Sequence, residues 1–200
     1  MRSRRLGQSG LVVSEICLGT MTFGSMADER TSHAILDRAF DAGIDFLDVA
    51  EVYPVPPDPK WAGVSEEIVG RWLKTKPRDA MLVATKVAGP GGGWYQAPVR
   101  ANKTTLDRHH IERAVEASLK RLGTDYIDLY WVHAFDFMTP VEEVMRALDD
   151  AVRAGKVLYV GISDAPAWIV SQANTLATLK GWSPFAALQI QYSLADRTPE

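Results

Sequence analysis

The stretch Phe46-Leu-Asp-Val-Ala-Glu-Val-Tyr-Pro54 is an apolar run that stops on a carboxylate, Asp48, with Tyr53 five residues later and a proline-rich loop behind it. Asp commonly closes a strand because its side chain bonds nearby backbone amides, so Asp48 alone requires no function. The residues that end the other strands decide between a turn and a site.

The periodicity around this stretch alternates strand with helix. A hairpin is expected at "LGQSGLVV", then the apolar "SEICLGTM", then a helix from about Glu29 to Ala42 stopped by Gly43, which leads straight into "IDFLDVA". The grammar repeats in "IERAVEASLKRLG", where Ile111, Val115, Leu119 and Leu122 make one stripe, Asp107 is the expected N-cap and Gly123 the left-handed stop. "DYIDLYWVH" follows. In "TPVEEV", Thr139, Pro140 and Glu142 predict a capping box ahead of a stripe of Val141, Val144, Met145, Leu148 and Val152. "EEIVGRWLK" before "AMLVATK", and "AWIVSQANTLATLKG" before "FAALQIQ", supply less regular units, which makes six strand-like runs in all.

Composition narrows the class. The 200 residues are 46% hydrophobic and 24% charged, the balance of a globular protein with a sizeable core. A net charge of −3 offers no basic field for nucleic acid or an anionic membrane. The basic start "MRSRRLGQSG" lacks an apolar signal segment, no run approaches a membrane span, and the single cysteine, Cys17, fits a reducing compartment. A cytoplasmic protein is expected.

Nearly unalternating apolar strands separated by amphipathic helices require a parallel sheet, either doubly wound or a (β/α) barrel. "EICLGTMTFG" lacks the G-x-G-x-x-G spacing of a dinucleotide turn, and "AGPGGGWYQ" lacks both that spacing and a P-loop Lys-Ser/Thr, so it reads as a loop insert. A barrel gathers functional residues at the C-terminal ends of its strands. Here successive strands close on Asp48, Lys86, His133, Ser163 with Asp164, and Gln189. Each has an ordinary structural explanation singly, but five consecutive strand ends converging on one mouth point to a site.

In order and spacing, "GTMTFG", "IDFLDVAEVYP", "VATKV", "LKRLGTDYIDLYWVH", "AGKVLYVGISD" and "LQIQYSLADR" resemble the aldo-keto reductase family, over about Leu6 to Arg197. The likeness is greatest to bacterial proteins grouped with aryl-alcohol dehydrogenases and potassium-channel β-subunits. The resemblance implies an α/β fold of (β/α)8 TIM-barrel type, of which about six β/α units and an N-terminal hairpin lie in residues 1–200. It implies a catalytic set of Asp48, Tyr53, Lys86 and His133. Gly19, Thr20, Asp48, Ser163, Asp164 and Gln189 fall where the family holds the nicotinamide end of NADPH, with NADH not excluded. The implied activity is reduction of small aldehydes or ketones.

The chemistry of these residue types agrees. Carbonyl reduction needs a hydride donor and an acid for the developing alkoxide. Tyr is a poor acid at a pKa of ~10, so a cation, Lys86, is expected to favour its phenolate, and a carboxylate, Asp48, to hold the lysine charged. His133 is expected to donate a hydrogen bond to the carbonyl oxygen. The six tryptophans read as packing residues, except that Trp94 could line a substrate pocket. His109 and His110 are adjacent near a helix start and face different directions, which argues against a metal site. Cys17 reads as a small buried hydrophobe.

Two departures qualify the resemblance. Asp164 stands where many relatives carry Asn, and an ionised Asp cannot donate to a carboxamide oxygen. An eight-stranded barrel also typically needs about 250 residues, so the last two strands and the phosphate contacts would lie past Glu200, and a truncated gene product or an incomplete sequence is expected. Open edges and inner apolar faces, with Leu82, Leu129 and Val160 expected on them, would then favour self-association. The alternative function is a non-catalytic barrel remnant or regulatory subunit that binds a partner protein.

Overall fold

A computed structural model describes residues 1–89 and 105–200. The chain opens with an antiparallel hairpin of β1 (Ser3–Arg5) and β2 (Val12–Ser14). There follow β3 (Cys17–Gly19), α1 (Glu29–Asp41), β4 (Phe46–Asp48), α2 (Val64–Leu73), β5 (Leu82–Val87), α3 (Arg108–Leu122) and β6 (Ile127–Val132). The described chain continues through α4 (Val141–Arg153), β7 (Val157–Ser163), α5 (Ala167–Lys180) and β8 (Phe185–Gln189). Strands β3 to β8 pair in chain order, all parallel, as one curled six-stranded sheet, so the α/β class and the partial (β/α)8 barrel are those expected.

Local chemistry sets most element ends. Asp28 caps α1 by accepting from the Thr31 N–H at 2.8 Å, and Gly43 follows the helix at φ 80°. Asp107 caps α3 by accepting from the His109 and His110 N–H groups, and Gly123 stops it at φ 65°. The capping box expected at α4 does not form, since the N-cap is Pro140 with no side-chain cap bond. Thr139 Oγ1 instead donates to Asp136 Oδ2 at 2.6 Å, in a loop where Asp136 also accepts the Leu106 and Thr139 N–H groups.

Two apolar layers flank the sheet. Between sheet and helices, Leu47, Val83, Tyr130 and Ile162 pack with residues such as Ile68 and Leu148. On the concave face, Phe46, Ala84, Leu129 and Trp131 pack under Leu11 and Val13, so the hairpin plugs one end of the half-barrel. Side chains alternate along a strand. Leu129 and Leu82 therefore face inward with Tyr159, whereas Val160, expected inside, belongs to the outer layer. Cys17 also departs from expectation, for the residue is exposed, although burial of its thiol pushes the pKa up to about 12. It lies on β3, which among the described residues has a strand neighbour on one side only. Trp72 and Trp131 are core residues at 2% and 4% exposure, whereas Trp168 is 60% exposed.

Candidate active site

Parallel register brings the polar strand ends to one rim. Asp48 of β4 lies beside Ala84 of β5, and Lys86, two residues on, points to the same concave face. Lys86 is fully buried. A desolvated ammonium needs compensation, and Lys86 Nζ has it from a short contact to Asp48 Oδ2 and a 2.7 Å hydrogen bond to Val49 O. Its Nζ also makes a long hydrogen bond of 3.4 Å to Tyr53 Oη and lies 4.8 Å from that ring's centroid. Tyr53 reaches the lysine because the chain turns after β4, with the Tyr53 N–H donating to Ala50 O at 3.1 Å and Tyr53 O accepting from the Gly63 N–H at 3.0 Å. His133, one residue past β6, sets its ring edge-on to Tyr53, with centroids 5.7 Å apart and planes at 83°.

Electrostatics gives these groups distinct states. Burial raises the Tyr53 phenol above its usual pKa and Asp48 adds to that, while Lys86 pulls the other way and does not prevail. The lysine charge is shared with Asp48 and Val49 O and meets the phenol only at long range, so the net lowering expected from the sequence is absent. Burial, and then the neighbouring Lys86, depress His133 from 6.5 to about 3, which keeps its imidazole neutral at neutral pH.

The remaining candidates lie around the same rim. Gly19 is paired with Asp48, and a Cβ built on it would meet no atom within 4 Å, leaving open space beside the carboxylate. Thr20 is fully buried, and its hydroxyl donates to Asp48 O at 3.0 Å and meets Ser65 Oγ at 3.1 Å, so this side chain supports the rim from within. Ser163 pairs with Gln189, and the Asp164 N–H donates to Gln189 O at 3.0 Å. Asp164 sits at φ 46°, a left-handed geometry that Asp and Asn tolerate better than most side chains. Asp48 Oδ1 is buried without a hydrogen-bond partner among the described residues. Together these leave an acceptor oxygen and open space at the rim, an arrangement that would fit the amide and hydroxyl donors of a nicotinamide nucleoside.

Sequence reasoning missed several buried carboxylates. Glu66 is fully buried; its Oε1 accepts from Thr85 Oγ1 and its Oε2 from Arg121 Nε, both at 2.6 Å. Glu51, two residues before Tyr53, is 3% exposed and accepts the Ala88 N–H at 2.7 Å. The one signal was position, a Glu on the apolar side of α2 and a Glu inside the run from Phe46 to Tyr53. His109 is exposed and His110 buried, and among the described residues no group of three His, Cys, Asp or Glu is placed to hold a metal. Trp94 lies outside the described residues.

The six-stranded parallel half-barrel, with a buried Lys-Asp pair beside Tyr53 and His133, is an α/β fold whose family sequence comparison identifies. The aldo/keto reductase family profile matches residues 15–200, and the chain belongs to that family. It is 39% identical to norsolorinic acid reductase of Aspergillus flavus, over 94% of this chain and 49% of the relative. It is 40% identical to the Bacillus subtilis protein named uncharacterized oxidoreductase YrpG, over 98% of this chain and 59% of the relative. Against aryl-alcohol dehydrogenase [NADP(+)] of Phanerodontia chrysosporium the identity is 36%, over 100% of this chain and 53% of the relative. The chain thus spans about half to three-fifths of the length of these curated relatives.

Proposed function

We propose that the protein is an NADPH-dependent oxidoreductase that reduces aldehyde or ketone carbonyls to alcohols, with Tyr53 as the general acid. The observation that carries this reading is the fully buried Lys86 ammonium, held by Asp48 and Val49 O and 3.4 Å from Tyr53 Oη. When bound, the nicotinamide supplies a hydride to the carbonyl carbon. Negative charge then develops on the carbonyl oxygen, and an acid beside it lowers the barrier. Tyr53, held protonated by burial, gives up its phenolic proton there, and Lys86 stabilises the phenolate left behind. Neutral His133 donates a hydrogen bond from its protonated ring nitrogen to the same oxygen and orients the substrate. Asp48 pairs with the Lys86 ammonium and holds it in place.

Gly19, Ser163, Asp164 and Gln189 would hold the nicotinamide end, with Asp48 Oδ1 as a free acceptor and Thr20 bracing Asp48 from behind. NADPH is favoured over NADH by the relative whose name carries NADP(+). The test is cofactor consumption by the full-length protein with NADPH or NADH and a panel of aliphatic and aromatic aldehydes and ketones. The expected result is NADPH oxidation coupled to alcohol formation. A protein that binds NADPH yet consumes none with any carbonyl contradicts the reading.

A further inference from the structure

Past the end of β4 the pairing with β5 continues through loop residues. The Val49 N–H donates to Ala84 O at 2.8 Å and the Glu51 N–H to Lys86 O at 3.3 Å, alternate rungs of a parallel ladder, and Val49 O between them accepts from Lys86 Nζ. The next rung would carry the Ala88 N–H to the main-chain carbonyl of Glu51. Instead the Ala88 N–H, two residues beyond Lys86, donates to Glu51 Oε1 at 2.7 Å. With the side chain taking this rung, the backbone is released from the sheet at the point where it must turn, and Tyr53 folds back over Lys86 through its N–H bond to Ala50 O. The bond is nearly sealed from water, since the Glu51 side chain is 2% exposed. The equally buried His110 ring lies 3.9 Å from the same oxygen, too far for a hydrogen bond, so the amide is the closer partner of Oε1.

We propose that Glu51 is a positioning residue for carbonyl reduction: its carboxylate oxygen fixes the loop carrying Tyr53 to the end of the strand carrying Lys86, and so sets the approach of Tyr53 Oη to Lys86 Nζ. This rests on the assignment of Tyr53 and Lys86 made above. The requirement is for an acceptor oxygen at that reach, which Gln supplies, Asp holds a methylene too short, and Ala lacks. In the full-length enzyme, Glu51→Gln should therefore retain turnover within about threefold, whereas Glu51→Ala should lose about a hundredfold, the scale on which an ångström of misplacement acts. Glu51→Asp should fall between them.

The loss should appear in kcat, with KM for the aldehyde and NADPH affinity changed by less than about threefold, because the interaction impaired belongs to the transition state. A role confined to stability would lower the melting temperature and leave kcat per folded molecule unchanged. Should Glu51→Ala fail to fold, the contrast between the Gln and Asp variants carries the test alone. Wild-type kcat in both Ala and Asp variants, or in Asp where Ala is unfolded, overturns the proposal. So does a Gln variant as impaired as Ala or Asp, which would make charge rather than an acceptor the requirement. Tyr53→Phe in the same preparation separates the two levels. If it is inactive while Glu51→Ala is normal, only the role of Glu51 fails; if it is active, the assignment of Tyr53 fails regardless of Glu51.

Discussion

At the scale of the residue, Lys86 shows how far context overrides type. A lysine closing a strand usually sends its ammonium to solvent, yet here it is fully buried and satisfied by Asp48 and Val49 O. Replacing it with Met leaves Asp48 without its partner cation, so Lys86→Met should destabilise the protein by ~3–5 kcal/mol in chemical denaturation. It should also lower turnover at every accessible pH, because the Tyr53 phenolate loses its stabilising charge. An unchanged pH-rate profile would exclude that coupling. His133 gives a separate signature. Its folded-state pKa of about 3 lies below the ordinary 6.5, so the unfolded chain binds the extra proton between those values. Its contribution to stability is therefore complete above about 6.5 and declines as the pH falls toward about 3. Denaturation midpoints of wild type and His133→Gln, compared in the upper half of that window where carboxylates remain ionised, should show a flatter slope in the variant. Equal slopes would count against a depressed His133. Asp48, Lys86, His133, Ser163 and Gln189 stood out in the sequence because each is a polar group at or just past the end of an apolar run. Glu51 and Glu66 were not, since a buried Glu is spelled like an exposed one until its partners, Ala88 and Arg121, are placed.

At the scale of the element, the alternation of six strands with five helices among the described residues was legible because strands covered on both faces are written as apolar runs and because caps such as Asp107 and Gly123 act locally. The misreadings arose where a competing partner or position won: Thr139 gave its hydroxyl to Asp136, three residues earlier, rather than to α4, and Cys17 stands on a strand paired on one side only among the described residues. Gly70, inside α2, is a costly residue by helix propensity alone. Its reason is the crossing of α2 with α3: a Cβ there would sit 2.4 Å from Arg121 O and 2.7 Å from Leu122 O, both backbone atoms. Gly70→Ala should thus destabilise by ~1–3 kcal/mol through overpacking, against the ~1 kcal/mol that Ala gains in an unconstrained helix. Thermal and chemical denaturation measure the sign, and a stabilised variant would contradict the close approach.

At the scale of the whole molecule, β3 and β8 flank the six-stranded sheet and each is paired on one side among the described residues. Unpaired strand edges recruit further strands. The isolated polypeptide of residues 1–200 is therefore expected to self-associate, and light scattering should report a mass above the 22.1 kDa of one chain at micromolar concentration. A monodisperse monomer would show that these edges are protected. The site that the sheet assembles stands or falls on one side chain. The decisive measurement is the turnover of full-length Tyr53→Phe with an aromatic aldehyde and NADPH, made beside a titration of NADPH binding. Removing the phenolic hydroxyl while keeping the ring should lower kcat at least a hundredfold, the lower end of the ~10² to 10⁴ supplied by general acid catalysis, and leave cofactor affinity within about twofold of wild type. A variant that reduces the aldehyde at close to the wild-type rate would contradict the assignment of Tyr53 as the proton donor.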